Sequence, residues 1–138
     1  MAALAPTVGD VRPRTNTNTT SVVQAGEAIA QLDAVYLDTA TGKYVRCVNN
    51  STAGLALCAG ISLTKADADL DYIIMMSAGT VDPGCTVVVA TEYIVGTLEG
   101  TIEPKSDLAT GERYTRIGYG TEATTLVIDI AVSGIVAP

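Results

Sequence analysis

Histidine is absent from all 138 residues, and so are phenylalanine and tryptophan. The first absence removes the side chain most often used as a general base near neutral pH. It excludes a Ser-His-Asp triad or a Cys-His pair outright, and it leaves zinc without its commonest partner for cysteine. The second absence leaves Tyr36, Tyr44, Tyr72, Tyr93, Tyr114 and Tyr119 as the whole aromatic complement. Sugar binders present aromatic platforms, and most of these tyrosines are explained by strand positions instead. G-x-S-x-G, Walker A and G-x-G-x-x-G patterns are also missing. No enzymatic activity, cofactor or metal is expected.

Positive charge is scarce as well: eight basic side chains stand against fifteen acidic ones, for a net charge of −7. Residues 1–23 hold Arg12 and Arg14 against Asp10 alone, so the acidity belongs to the rest. An acidic body argues against nucleic acid, which wants a cationic face, and against an anionic membrane surface. Apolar runs are short. "YIIMMSAG" falls far below the ~20 residues of a membrane span, and "MAALAPTVGD" lacks the basic and apolar regions of a signal peptide. The expected site of synthesis is the cytosol of the producing cell. Cys47, Cys58 and Cys85 form an odd set without C-x-x-C spacing, and they read as buried, reduced small hydrophobes.

What is abundant is Val, Ile, Leu, Ala and Thr, a composition that favours sheets. Several short apolar runs with turn punctuation indicate an all-β domain. "AVYLD" and "KYVRCV" flank "TATG" and read as a hairpin. Asp38 would accept backbone N–H bonds at the head of a type I turn, and Gly42 would close it at φ > 0. "DLATG", Asp107 to Gly111, repeats the signal. Pro104 precedes it, so there the turn sits in a longer connection. "LALCAGISLT", "YIIMMSAG", "TVVVAT", "RYTRIGYG" and "TLVIDIAVSGIV" read as strands, with "TVDPGC" and "TEAT" as turns. "NNSTAG" reads as a loop or one helical turn. Gly118 and Gly120 of "GYG" read as relief of a turn. In "LVIDI" the period of two puts Asp129 on the opposite face from Leu126 and Ile128.

The expected fold is therefore mainly β: a small β-sandwich or barrel-like domain of short strands with little helix, residues 24–138, preceded by an extended N-terminal arm, residues 1–23. The arm holds Pro6, Gly9, Pro13 and a "TNTNTT" run, with no sustained period. Its removal is expected to leave a folded body. Two acidic sets come nearest to chemistry. Asp67, Asp69 and Asp71 alternate like the start of a calcium loop, but Tyr72 stands where glycine is needed and Ala78 where the closing glutamate belongs. Glu99 and Glu103 are spaced for acid–base work, yet nothing in the sequence places them in a cleft.

Several stretches resemble one family: "AGEAIAQLDAVYLDTATGKYVRC", "AGISLTKADA", "YIIMMSAGTVDPG" and "IEPKSDLATGERYTRIGYGTEATTLVIDIAVSG". They are similar to the small head-decoration, or cement, proteins of tailed bacteriophages, and more distantly to lambda-type head decoration proteins. The likeness covers about residues 25–134 and consists of turns and core strands. It implies a structural virion protein on the capsid exterior that trimerises and docks on the major capsid protein at three-fold or quasi-three-fold positions. An N-terminal segment of such proteins orders against the shell. On that basis Arg12, Arg14, Asn16, Thr17, Asn18, Thr19, Val22 and Val23 are the candidate capsid-binding residues. The alternative is another virion component: a tail, baseplate or host-attachment module.

Overall fold

The structure, a computed structural model, describes residues 3–6, 11–13, 18–49 and 57–138. Within these the regular structure is almost entirely antiparallel strand: β1 (Arg12–Pro13), β2 (Thr19–Gln24), β3 (Ala34–Asp38), β4 (Lys43–Arg46), β5 (Gly60–Ser62), β6 (Tyr72–Asp82), β7 (Glu92–Val95), β8 (Ile102–Pro104), β9 (Arg113–Glu122) and β10 (Thr125–Val136). The only helical piece among the described residues is a 3-10 turn at Lys105–Asp107.

β6 organises the rest. Along one edge it pairs with β1 and β2 in succession, from Arg12↔Asp82 to Gln24↔Tyr72. Its other edge is shared. β5 takes Met75 and Met76, and β10 takes Ala78 through Val81. The sheet splits at that point and runs β4-β3-β5-β6-β10-β9-β7-β8. It curls into a half-barrel, and beside β4 the chain end of β2 meets it at an Ala25–Tyr44 bridge.

The curl makes two cores. The larger gathers Ile61, Met76, Val81, Tyr93, Ile117, Leu126 and Ile128. The smaller, under β2 and β3, holds Ala25, Ile29, Val35, Ala66, Ile73 and Met75. Branched and sulfur-containing side chains do the work that phenylalanine does elsewhere. Tyr93, wholly buried, satisfies its hydroxyl by accepting the Val88 N–H at 3.0 Å. Alternation sets the rest of the pattern: Leu126 and Ile128 face inward while Asp129 faces out and pairs with Arg116 at 2.9 Å.

The Asp38–Gly42 turn forms as its residues dictate. Asp38 Oδ1 accepts the Ala40 N–H at 3.0 Å, its carbonyl accepts the Gly42 N–H at 2.8 Å, and Gly42 takes φ 72°. Gly111 also sits at positive φ, 86°. The wiring of the second copy differs: Glu112 Oε2, four residues downstream of Leu108, accepts the Ala109 N–H at 2.8 Å, and the Gly111 N–H reaches Ala137 at 2.9 Å. Asp107 instead ends the 3-10 turn. The same sequence signal therefore closes a hairpin once and tethers the C-terminal strand once.

Several expectations change. The first half of "TVDPGC", Thr80 to Asp82, continues β6, and the chain bends only at Gly84. "TVVVAT" is not a strand: its Val87 is buried, Val88 and Val89 are exposed, and Ala90 takes φ 60°. The run lies beside β9, bonding at Val87→Ala123 and Ala90→Gly120, but β7 holds the ladder positions on that edge. Gly118 and Gly120 lie inside β9 rather than at a turn. They are glycines because the chain packs against them: a Cβ on Gly118 would fall 1.7 Å from the Val127 carbonyl oxygen, and one on Gly120 would fall 2.4 Å from that of Val88. "LALCAGISLT" narrows to Gly60–Ser62; Leu57 is exposed, and residues 50–56, including most of "NNSTAG", lie outside the described residues.

The arm is extended, yet its described residues lie on the body. Leu4 and Val11 belong to the larger core, and the Leu4 N–H donates to Ile102 at 2.8 Å. Isolated apolar residues in a polar stretch found places in the core, and β6 offered an edge that needed pairing.

Candidate functional site

Of the eight candidate capsid-binding residues, Arg14, Asn16 and Thr17 lie outside the described residues. Arg12 is exposed on β1 opposite Asp82. Asn18 is committed to the fold, since its Oδ1 accepts the Thr80 N–H at 3.1 Å. Thr19 opens β2 opposite Ala78. The two valines part company. Val23 is half-buried against the smaller core, whereas Val22 is 71% exposed. Val22 stands directly opposite Ile74, and Tyr72 lies two residues along β6 on the same face; both are exposed. Among the described residues no strand pairs with the outer edge of β2 between Thr19 and Gln24.

β10 ends in a second exposed apolar strip. Its pairing with β6 stops at Asp129↔Ala78, so Ile130 to Val136 keep β9 on one side only. Val132, Ile135 and Val136 are exposed, and no charge occurs from Ile130 to Pro138. Unprotected strand edges are usually blunted by charge, proline or a covering segment. From Ile130 to Val136 this one has no charge and no proline, and no described strand pairs with it on the side away from β9.

The acidic sets are engaged by protein groups. Asp71 Oδ2 accepts the N–H groups of Asp67 and Ala68, Lys43 pairs with Asp69 at 2.9 Å, and Lys65 pairs with Asp67 at 3.3 Å. Glu99 and Glu103 do not face one another as an acid–base pair. Glu99 is exposed on Arg46, which also holds Glu27, both at 2.9 Å. Glu103 is buried on Thr97, whose hydroxyl donates to it at 3.1 Å, and on the amide of Asn49. Asn49 Nδ2 also donates to Glu112, so one amide bridges two carboxylates. Burial pushes the Glu103 carboxyl above its ordinary value; the Thr97 donors pull it down, and Glu112 and Asp107 push it up. All three cysteines are free thiols. Burial drives the Cys47 thiol far up, with neighbouring Cys58 adding to the rise, so it is no nucleophile at neutral pH. Cys85 is only half-buried, less enclosed than expected.

A cavity of about 560 Å³ opens where the N-terminal segment crosses the loop before β3. Leu4, Ile29, Leu32 and Ile102 supply apolar wall, and Asp33, Arg46 and Lys65 line it too. Nothing in the sequence singled out this place, because its wall comes from five distant stretches.

No family model matches the chain, and no curated protein matches it; the likeness to phage head-decoration proteins rests on the quoted turns and strands.

Proposed function

We propose that this protein is a capsid cement protein, bound to the outside of a phage head and clamping neighbouring major capsid subunits. The observation that carries the reading is the pair of open strand edges. β2 and the end of β10 each combine exposed apolar side chains with an edge that no described strand pairs with. Such edges take up affinity by strand addition and apolar burial, without chemistry. In a trimer about a three-fold axis each contact is heterologous, so it needs two different surfaces on one copy. The two edges provide them. The major capsid protein is the proposed partner, and the capsid exterior the proposed location.

Copy number tests this directly. Purified virions from the producing phage should contain hundreds of copies by quantitative mass spectrometry. A handful per particle would instead identify a tail, baseplate or attachment part, and none would remove the protein from the virion.

A further inference from the structure

The cavity beside β3 holds one carboxylate that forms no ion pair among the described residues. Asp33 lines it, and its Oδ2 accepts the Ala30 N–H at 2.9 Å. The two cations on the same wall are already engaged: Arg46 bonds Glu27 and Glu99, each at 2.9 Å, and Lys65 reaches Asp67 at 3.3 Å. Among the described residues Asp33 has no ion pair. Burial is also the largest influence on its carboxyl and pushes it up, with the Ala30 N–H and Arg46 opposing and Glu27 adding to the rise.

The carboxylate is held in place rather than free to swing to solvent. The Asp33 carbonyl accepts the Ser62 N–H at 2.9 Å, and Leu32 before it takes φ 72° while donating to the Ser62 carbonyl at 2.7 Å. On the other side Gly100, at φ 78°, lies so close that an added Cβ would fall 2.6 Å from Asp33 Cγ. The cavity that the carboxylate lines also carries aliphatic wall, Leu4, Ile29 and Ile102. A partly desolvated negative charge in a cavity with apolar wall attracts a cation that carries its own apolar stem. With Oδ2 already bonded to Ala30, Oδ1 offers a single acceptor. That suits the point charge of an ammonium better than a guanidinium, which binds carboxylates through both oxygens.

We propose that this cavity is a socket for a lysine side chain presented by a protein partner, its four-carbon stem lying on Leu4, Ile29 and Ile102 and its ammonium on Asp33. Under the cement reading, on which this identification of the partner rests, the lysine belongs to the capsid shell. The complementarity is general: the protein carries a net charge of −7, so a basic side chain is drawn to it before contact.

The test uses the full chain and capped lysine, N-acetyl-lysine methylamide, followed by amide chemical shifts. Saturable shifts at Ile29, Leu32, Gly100 and Ile102 are expected, with lysine bound about tenfold or more tighter than capped norleucine, because one charge-assisted hydrogen bond separates them. Asp33→Asn keeps an oxygen for the Ala30 N–H and should bring lysine down to the norleucine level. Ala28→Trp fills the cavity from an exposed position without touching the carboxylate, and should abolish the shifts. Equal binding of the two probes, shifts elsewhere, or lysine binding unchanged in Asp33→Asn would overturn the socket. Head binding then separates the two ideas. If wild type decorates heads and Asp33→Asn does so equally well, the shell lysine falls and the cement reading stands. If capped lysine binds but wild type never decorates heads, the socket stands and the cement reading falls.

Discussion

Val11→Ala removes two methyl groups from the larger core, in which Val11 is 6% exposed. At about 0.8 kcal/mol per buried methylene the transfer loss is about 1.6 kcal/mol, and the cavity left behind raises it to about 2 kcal/mol. Leu4→Ala, by the same reasoning, should cost about 2–4 kcal/mol. Both figures have a ceiling. Leu4 and Val11 both precede β2 and pack in the same core, so the loss of one can loosen the other. Once one substitution has done so, the second costs little. The double variant should therefore lose less than the sum of the singles. Thermal melting reads the effect: about 2 kcal/mol in a domain of this size lowers Tm by roughly 4–8 °C. Hydrogen exchange locates it. The Leu4 amide, bonded to Ile102 at 2.8 Å, should be protected in wild type and exposed in Val11→Ala. An unchanged Tm in both single variants, together with free exchange at Leu4 in wild type, would refute the claim that this segment belongs to the fold. Residues 1–20 include Leu4 and Val11 of the larger core. Their deletion removes two core residues and the β1 pairing, and the remaining body should melt lower.

Gly42→Val should destabilise by roughly 1–3 kcal/mol from backbone strain at positive φ, since no atom lies within 4 Å of the added Cβ; Gly42→Asn should recover most of it, and equal denaturation midpoints for all three would refute the turn assignment. Glu103 is raised in the fold relative to its unfolded value, so its ionised form is the disfavoured one. Its contribution to stability is full at low pH and is lost as pH rises from about 4.5 through the folded value. The stability difference between wild type and Glu103→Gln should thus fall as pH rises over that window, and a difference that grows with pH would contradict the burial argument.

Local chemistry made much of this fold legible. Asp38 and Gly42 specify their turn with their own atoms and φ, so the hairpin could be read from "DTATG" alone. The alternation around Asp129 was equally local. What escaped depended on distant partners. "TVVVAT" has strand residues throughout, but β7 occupies the neighbouring edge of β9, and Gly120 lets the Val88 backbone press in irregularly. Leu4 and Val11 looked like strays in a polar arm because their contacts, such as Ile102, lie a whole domain away in sequence. That Val22 and Val23 part follows from strand alternation, but which of them is buried depends on the face β2 turns to the smaller core. The cavity at Asp33 was invisible for the same reason: it exists only where the first residues of the chain cross residues near 30, 65 and 100.

The most direct test of the cement account is a pair of electron-microscope reconstructions of the phage head, with this protein and after its genetic removal. The account predicts extra density on the outer surface at three-fold and quasi-three-fold positions, three copies per position, with β2 or β10 at the contacts, and its loss in the deletion particles. Identical head surfaces in the two reconstructions, with or without a difference at the tail, would contradict it.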